Sequence, residues 1–151
     1  MELLVIRHDE AEPRDASLGA RADTKRALSA AGRKRARRAA IALARLVGKV
    51  DVLASSGLRR ADETAQAIAD ELGGLAVETV DALLPGAKPE RLAAWLSGIE
   101  RQATVAIVGH EPGLSALVTW LISGLSKSVL ELGKGGACLV DIPGRIAPGQ
   151  A

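Results

Sequence analysis

The sequence predicts an α/β fold, a three-layer sandwich in which helices cover both faces of a mostly parallel central sheet. Short aliphatic runs alternate with longer amphipathic segments along the chain, a pattern typical of strand–helix–strand units. The aliphatic runs are apolar at consecutive positions, as expected for strands that are buried on both faces. Polar and charged residues follow several of these runs directly, which places them at the edge of the sheet where such folds bind ligands.

The first half of the chain contains two predicted strands and two predicted helices. Residues 3–6 (LLVI) form the first strand, which we expect at the centre of the sheet. A helix over 29–47 begins with Ser29 as its N-cap and carries apolar residues on one stripe. Residues 51–56 (DVLASS) form the second strand, and a helix over 58–72 follows it and ends at two glycines.

The second half contains three predicted strands and two predicted helices. The strands cover 76–80, 103–110 and 137–142, because each is a short, mainly aliphatic run. A helix over 89–100 has a proline in its first turn, where the missing N–H has no intrahelical partner to lose. A helix over 113–124 ends at a glycine, a residue that favours the left-handed conformation of helix termini.

Length and composition indicate one soluble domain. The 151 residues are 48% hydrophobic and 25% charged, which is ordinary for a globular protein. We expect a single domain over 1–151, with 143–151 as a loose tail. No apolar run reaches the roughly 20 residues of a membrane helix, and the N-terminus lacks a basic leader. We therefore expect no membrane partner. Because the single cysteine, Cys138, cannot form an internal disulfide, we also expect a cytoplasmic protein.

The charge and the aromatic content argue against a nucleic-acid partner. The net charge is only +2, and the chain has no Phe, no Tyr and two Trp, so it lacks aromatic platforms for base stacking. The basic run RKRARR at 33–38 is interpreted as the solvated face of an amphipathic helix. A nucleic-acid binder that uses this run stays an alternative.

Both histidines of the chain follow predicted strands. His8 comes directly after the first strand together with Arg7, and His110 ends the fourth strand. Arg60 lies just beyond the second strand, and Asp81 follows the third. Because the carboxyl ends of parallel strands meet at one edge of a sheet, we expect these side chains to lie close together.

Two imidazoles among several guanidiniums suit a phosphorylated ligand. Guanidinium forks match phosphate oxygens, and a neutral imidazole is a competent nucleophile toward phosphorus at neutral pH. The guanidiniums would neutralise charge on the transferring phosphoryl group, so this chemistry needs no metal and no cofactor. The spacing of histidines and acids matches no compact ligand pattern, and the sequence therefore predicts no metal site.

Four ordered segments resemble the histidine phosphatase superfamily, also called the phosphoglycerate mutase-like superfamily. Arg7-His8 resembles its RHG signature, and VGHEPGLSALV (108–118) resembles the segment that carries the second histidine. DTKRALSAAG (23–32) and SSGLRRADETA (55–65) resemble the D-x-x-R-x-L-[ST]-x-x-G and S-x-x-x-R-A-x-x-T segments of the small SixA-type phosphohistidine phosphatases. The resemblance implies a phosphoglycerate mutase-like fold and phosphatase activity.

The resemblance also implies a role for each matching residue. His8 matches the nucleophile that takes the phosphoryl group, and Arg7 matches the neighbouring arginine that binds phosphate. Arg60 matches the arginine of S-x-x-x-R-A and Arg26 the arginine of D-x-x-R, which are both implied to reach the phosphate pocket. His110 matches the second histidine, which hydrogen-bonds the transferring phosphoryl group.

The sequence departs from the family pattern in two respects. Asp9 stands where the signature has glycine, and the family uses the backbone carbonyl of this residue to accept the other ring N–H of the nucleophile. A carboxylate here is compatible with a phosphate site only if it points away, because like charges repel. Asp81 is the one roughly placed candidate for the carboxylic general acid of the larger family members.

Together these observations predict a metal-independent phosphatase that acts through a phosphohistidine intermediate on His8. The short chain leaves no room for large insertions, so we expect a shallow, open site and a phosphorylated protein, carrying phosphohistidine, as the substrate. A phosphomonoesterase that acts on a small phosphorylated metabolite is the first alternative. A phosphate-binding module without turnover is the second, suggested by Asp9.

Overall fold

The computed structural model describes residues 1–15, 17, 19–128 and 130–151. Within these residues, strands and helices alternate as the sequence predicts, with one additional short helix near the N-terminus. In chain order the elements are β1 (Glu2–Arg7), α1 (Gly19–Thr24), α2 (Ala30–Val47), β2 (Val52–Ser55), α3 (Arg59–Glu71), β3 (Val77–Thr79), α4 (Pro89–Leu96), β4 (Thr104–Gly109), α5 (Gly113–Ser123) and β5 (Ala137–Asp141). A short 3₁₀ turn, Asp81–Leu83, follows β3.

The five strands form one mixed sheet in the order β3-β2-β4-β1-β5. Strands β1 to β4 run parallel, and β5 pairs antiparallel with β1. The prediction of a mostly parallel sheet is therefore confirmed. The central position belongs to β4 rather than to β1, because the antiparallel β5 occupies the far side of β1 and forms that edge of the sheet.

Strand β1 is buried on both faces, as its unbroken apolar run predicts. Leu3 and Val5 belong to a core cluster shared with α4 and α5, whereas Leu4 and Ile6 belong to a second cluster shared with α2 and α3. All four side chains are at most 2% exposed. The two clusters lie on opposite faces of the sheet, which gives the predicted three-layer α/β/α sandwich.

The first turn of α2 packs directly on the segment that follows β1. Ser29 is the N-cap, as predicted, and its hydroxyl accepts a hydrogen bond from Gly32 N at 3.0 Å. The Ser29 N–H donates to the Glu10 carbonyl at 2.9 Å. A side chain on Gly32 would overlap that same carbonyl oxygen, so glycine is required for this close approach.

One prediction about a helix end is wrong. The helix predicted to reach residue 100 ends at Leu96, where the Ser97 hydroxyl donates back to the Ala93 carbonyl and tightens the last turn. At the end of the chain, the N–H groups of Gln150 and Ala151 both donate to the Leu121 carbonyl, at 2.8 and 3.1 Å. The tail thus satisfies a carbonyl that the end of α5 leaves without an intrahelical partner.

No helix in the described part of the chain is long and apolar enough to cross a lipid bilayer.

Replacing Gly32 by alanine tests the contact between α2 and the post-β1 segment. A glycine-to-alanine change inside a helix ordinarily stabilises it, but here the new methyl group meets the Glu10 carbonyl. We expect Gly32→Ala to lower the free energy of unfolding by about 1–3 kcal/mol, the usual cost of overpacking. Gly144→Ala is the matched control, since nothing lies within 4 Å of its added Cβ. Equal denaturation midpoints for the two variants would contradict the contact.

Candidate active site

The two histidines meet at the carboxyl edge of adjacent parallel strands. His8 follows β1 and His110 follows β4. The backbone N–H of His8 donates to the Gly109 carbonyl at 3.1 Å. The two imidazole centroids lie 4.9 Å apart, with the rings tilted by 57°. The structure therefore brings these two predicted site residues together.

The ring of His8 is held by the backbone of the next residue. His8 Nδ1 lies 2.6 Å from the carbonyl oxygen of Asp9. A carbonyl only accepts hydrogen bonds, so Nδ1 carries the proton and Nε2 keeps its lone pair. The pKa of His8 is lowered to about 4, chiefly because burial disfavours the charged ring; the bond to Asp9 opposes this shift, and the positive charges of Arg60 and Arg7 reinforce it.

His110 is held by a serine at the end of β2. Ser56 Oγ and His110 Nε2 are joined by a hydrogen bond of 2.7 Å, and both residues are buried. The pKa of His110 is lowered to about 3, first by burial and then by the neighbouring His8 and Arg60. Ser56 was not among the predicted site residues, although its position in the S-x-x-x-R segment at a strand end was a usable signal.

Arg7 and Arg60 each bring a buried N–H group that has no acceptor. Arg7 Nη1 donates to the Leu132 carbonyl at 2.6 Å, and Arg60 Nη1 donates to the Asp23 carbonyl at 2.9 Å. The Nε atoms of both arginines are buried without a hydrogen-bond partner, and no other buried side-chain nitrogen or oxygen of the described residues shares this state. Unpaired buried N–H groups of cations are costly unless a ligand supplies an acceptor, so this pair indicates an anion site.

Arg26 lies in the same cluster but is bound to its neighbours. Its Nε donates to Asp23 Oδ1 at 3.0 Å, and its Nη1 donates to the Glu12 carbonyl at 3.0 Å. Burial alone would raise the pKa of Asp23, but the charges of Arg60 and Arg26 hold this pKa below its ordinary value. Asp23 thus links both arginines and keeps them in place.

Two further polar residues near these segments lie outside the cluster. Arg59, which directly precedes Arg60 in the chain, is exposed and pairs with Glu63 at 2.8 Å. Asp81 is exposed and forms no side-chain hydrogen bond or ion pair with any residue that the structure describes. The structure does not join Asp81 to the histidines, although Leu83 and Leu84 line a small pocket beside His110.

Asp9 directs its carboxylate to α2 rather than to the arginines beside the histidines. The residue is only 2% exposed. Its Oδ1 accepts hydrogen bonds from Glu10 N at 2.6 Å and from Arg35 Nε and Nη2 at 3.0 and 2.7 Å. The condition that the sequence set for a carboxylate at this position is therefore met by an ion pair that the sequence did not reveal.

In the part of the chain that the structure describes, no three His, Cys, Asp or Glu side chains gather closely enough to hold a metal ion.

The family assignment agrees with this geometry. The model of the histidine phosphatase superfamily (branch 1) matches residues 3–84, and the chain belongs to this superfamily. The resemblance noted in the sequence is thereby confirmed. A comparison with curated protein sequences gives no match.

Solved structures of three phosphatases share the fold. The protein histidine phosphatase SixA in complex with tungstate is 23% identical, with a TM-score of 0.81 over 94% of this chain and 88% of that one. The alpha-ribazole phosphatase from Shigella flexneri is 22% identical, with a TM-score of 0.77 over 98% and 94%. A mycobacterial glucosyl-3-phosphoglycerate phosphatase in complex with VO3 is 21% identical, with a TM-score of 0.72 over 93% and 90%.

The lowered histidine pKa values predict how the free protein responds to acid. Both rings are neutral well below the ordinary value of 6.5, so kcat/KM for a phosphomonoester, corrected for substrate ionisation, should show no inflection near 6.5 and should fall as the pH drops through about 4. The histidines' contribution to stability is complete above 6.5 and is lost as the pH falls toward the folded-state values. An acid limb centred near 6.5 would contradict the buried, neutral pair.

Proposed function

We propose that the protein is a cytoplasmic phosphatase that hydrolyses protein phosphohistidine through a covalent phosphohistidine on His8. The observation that carries this proposal is the orientation of the His8 ring: Nδ1–H is fixed on the Asp9 carbonyl, which leaves the Nε2 lone pair for phosphorus. The two unpartnered arginine Nε–H groups supply the donors that a phosphoryl group needs.

In the first step, His8 Nε2 attacks phosphorus and the P–N bond of the substrate breaks. The electron pair leaves with the substrate imidazole, which takes up a proton from water. His8 then carries the phosphoryl group on Nε2 and a proton on Nδ1, and the Asp9 carbonyl stabilises the resulting cation. Arg7 and Arg60 neutralise the oxygens of the transferring group as charge develops on them.

In the second step, a water molecule attacks phosphorus and the P–Nε2 bond breaks. The electron pair returns to His8, the water proton is released to solvent, and inorganic phosphate leaves. Neutral His110, held through Nε2 by Ser56, has its other ring nitrogen available to the phosphoryl group. No metal or cofactor takes part in either step.

The choice of phosphohistidine as substrate is supported by the state of Asp81. This candidate general acid is exposed and forms no side-chain hydrogen bond or ion pair with the residues that the structure describes, so no contact holds it in place to donate a proton to a leaving group. A phosphohistidine has a labile P–N bond and leaves as imidazole, so it depends less on a strong acid than a phosphomonoester does.

A phosphomonoesterase for a small metabolite is the second candidate, because two of the three solved structures described above carry the names of metabolite phosphatases. Its chemistry at His8 would be the same. The third possibility is a binding module without turnover, which the carboxylate at position 9 suggested. Because that carboxylate is paired with Arg35, it no longer argues against turnover.

A labelling experiment tests the nucleophile and the substrate class together. Incubation with a labelled phosphohistidine protein should place label on the wild type that survives base and is lost in acid, and His8→Ala should take no label. We expect kcat/KM to be higher for the phosphohistidine protein than for sugar phosphates. The reverse order would favour the metabolite enzyme, and label retained by His8→Ala would rule out this nucleophile.

Replacing Arg60 by alanine tests the anion site. Removal of one buried guanidinium should cost on the order of 2–4 kcal/mol of transition-state stabilisation, measured from kcat/KM. Arg59→Ala is the matched control, because Arg59 is 59% exposed and pairs only with Glu63; its kcat/KM should stay within about twofold of wild type. Equal losses in the two variants would contradict the assignment of Arg60.

A further inference from the structure

The segment after His8 contains an ion pair with a buried carboxylate, which the proposed mechanism does not use. The Asp9 carboxyl side chain is 2% exposed, and the Arg35 side chain that binds it is 48% exposed. Arg35 Nη2 also donates to Glu10 Oε2 at 2.8 Å. One guanidinium on α2 therefore binds the two residues that directly follow His8.

Asp9 joins this ion pair to the His8 ring. Its carbonyl oxygen accepts the His8 Nδ1 proton, while its carboxylate accepts two N–H groups of Arg35. Asp9 Oδ1 also accepts the backbone N–H of Glu10 at 2.6 Å. That N–H and the Asp9 carbonyl belong to the same planar peptide group, so the carboxylate that Arg35 binds also fixes the orientation of the carbonyl. The position of α2 is fixed independently, by the contacts of its first turn with the Glu10 carbonyl.

Gly135 leaves the space that the Asp9 carboxylate occupies. A side chain on Gly135 would overlap Asp9 Oδ2, and Gly135 has a φ of +68° that favours glycine in any case. The Gly135 N–H also donates to the His8 carbonyl at 3.3 Å. The loop that carries Gly135 thus accommodates the carboxylate and contacts the backbone of His8 at the same time.

We propose that Arg35 is a positioning residue that acts through Asp9 to keep the His8 Nδ1–H on the Asp9 carbonyl and the Asp9 carboxylate away from the phosphate. This inference rests on the proposed function, in which His8 is the nucleophile. Without Arg35 a buried carboxylate would lose its countercharge. It would then turn toward water or toward the unpartnered arginine N–H groups that the phosphate needs.

A double-mutant cycle tests this coupling. Arg35→Ala should lower kcat/KM by about tenfold or more in the wild-type background, and by less than about twofold in an Asp9→Asn background, because the amide needs no countercharge. Arg38→Ala is the control for removing a cation from the same helix. Arg38 is exposed and forms no ion pair with the residues that the structure describes, and its loss should leave kcat/KM unchanged.

Two measurements do not depend on turnover. Nitrogen-15 NMR of the histidine side chains should show His8 as the Nδ1–H tautomer in the wild type and as a mixture in Arg35→Ala. Calorimetric titration with tungstate should show weaker binding in Arg35→Ala than in the wild type, and Asp9→Asn/Arg35→Ala should recover the affinity of Asp9→Asn. If the wild type binds tungstate without hydrolysing any phosphorylated substrate, the proposed function fails while these two measurements still decide the role of Arg35.

Three results would overturn the inference. The first is an unchanged tautomer and tungstate affinity in Arg35→Ala. The second is an equal loss from Arg35→Ala in both backgrounds, since that would make Arg35 merely structural. The third concerns the case in which Arg35→Ala does not fold, where Asp9→Asn/Arg35→Ala decides. If this double variant binds tungstate as Asp9→Asn does, the coupling is supported; if it fails to fold or to bind, the coupling is overturned.

Discussion

The hydrogen bond between His8 Nδ1 and the Asp9 carbonyl, 2.6 Å long, determines what the imidazole pair can do. It fixes one tautomer, leaves Nε2 with its lone pair and opposes the burial that would otherwise lower the His8 pKa still further. Burial and nearby guanidiniums keep the ring neutral and therefore nucleophilic. In the proposed intermediate, in which Nε2 carries a phosphoryl group, the same hydrogen bond would be stronger, because the ring would then be a cation.

Each layer of the sandwich contributes to this small site. The sheet brings His8 and His110 together, because β1 and β4 are parallel neighbours in register. Helix α2 holds the segment after His8 through Glu10. On the other face, the Ser115 hydroxyl of α5 accepts a hydrogen bond from Leu132 N at 3.1 Å, and the carbonyl of Leu132 accepts from Arg7. The backbone of loops and strand ends therefore positions the charged groups of the candidate site.

Much of this could be predicted from the sequence, and the exceptions have physical causes. The unbroken apolar runs and the capping residues predict the layers, and the parallel-sheet rule predicts that His8 and His110 meet. The sequence does not show which strand is central, since that depends on the antiparallel pairing of β5. It also hides the partners of Asp9 and Asp23: Arg35 stands 26 residues from Asp9, and Asp23 and Arg60 are 37 residues apart. Such contacts depend on tertiary packing, which local patterns do not encode.

A crystal structure of the protein with vanadate or tungstate would test the assignment of His8 as the nucleophile. We expect the anion to lie in line with His8 Nε2, its oxygens to accept hydrogen bonds from the Nε atoms of Arg7 and Arg60, and His8 Nδ1 to stay on the Asp9 carbonyl. An anion bound elsewhere, or one that contacts Nδ1 of a rotated His8 ring, would contradict this assignment.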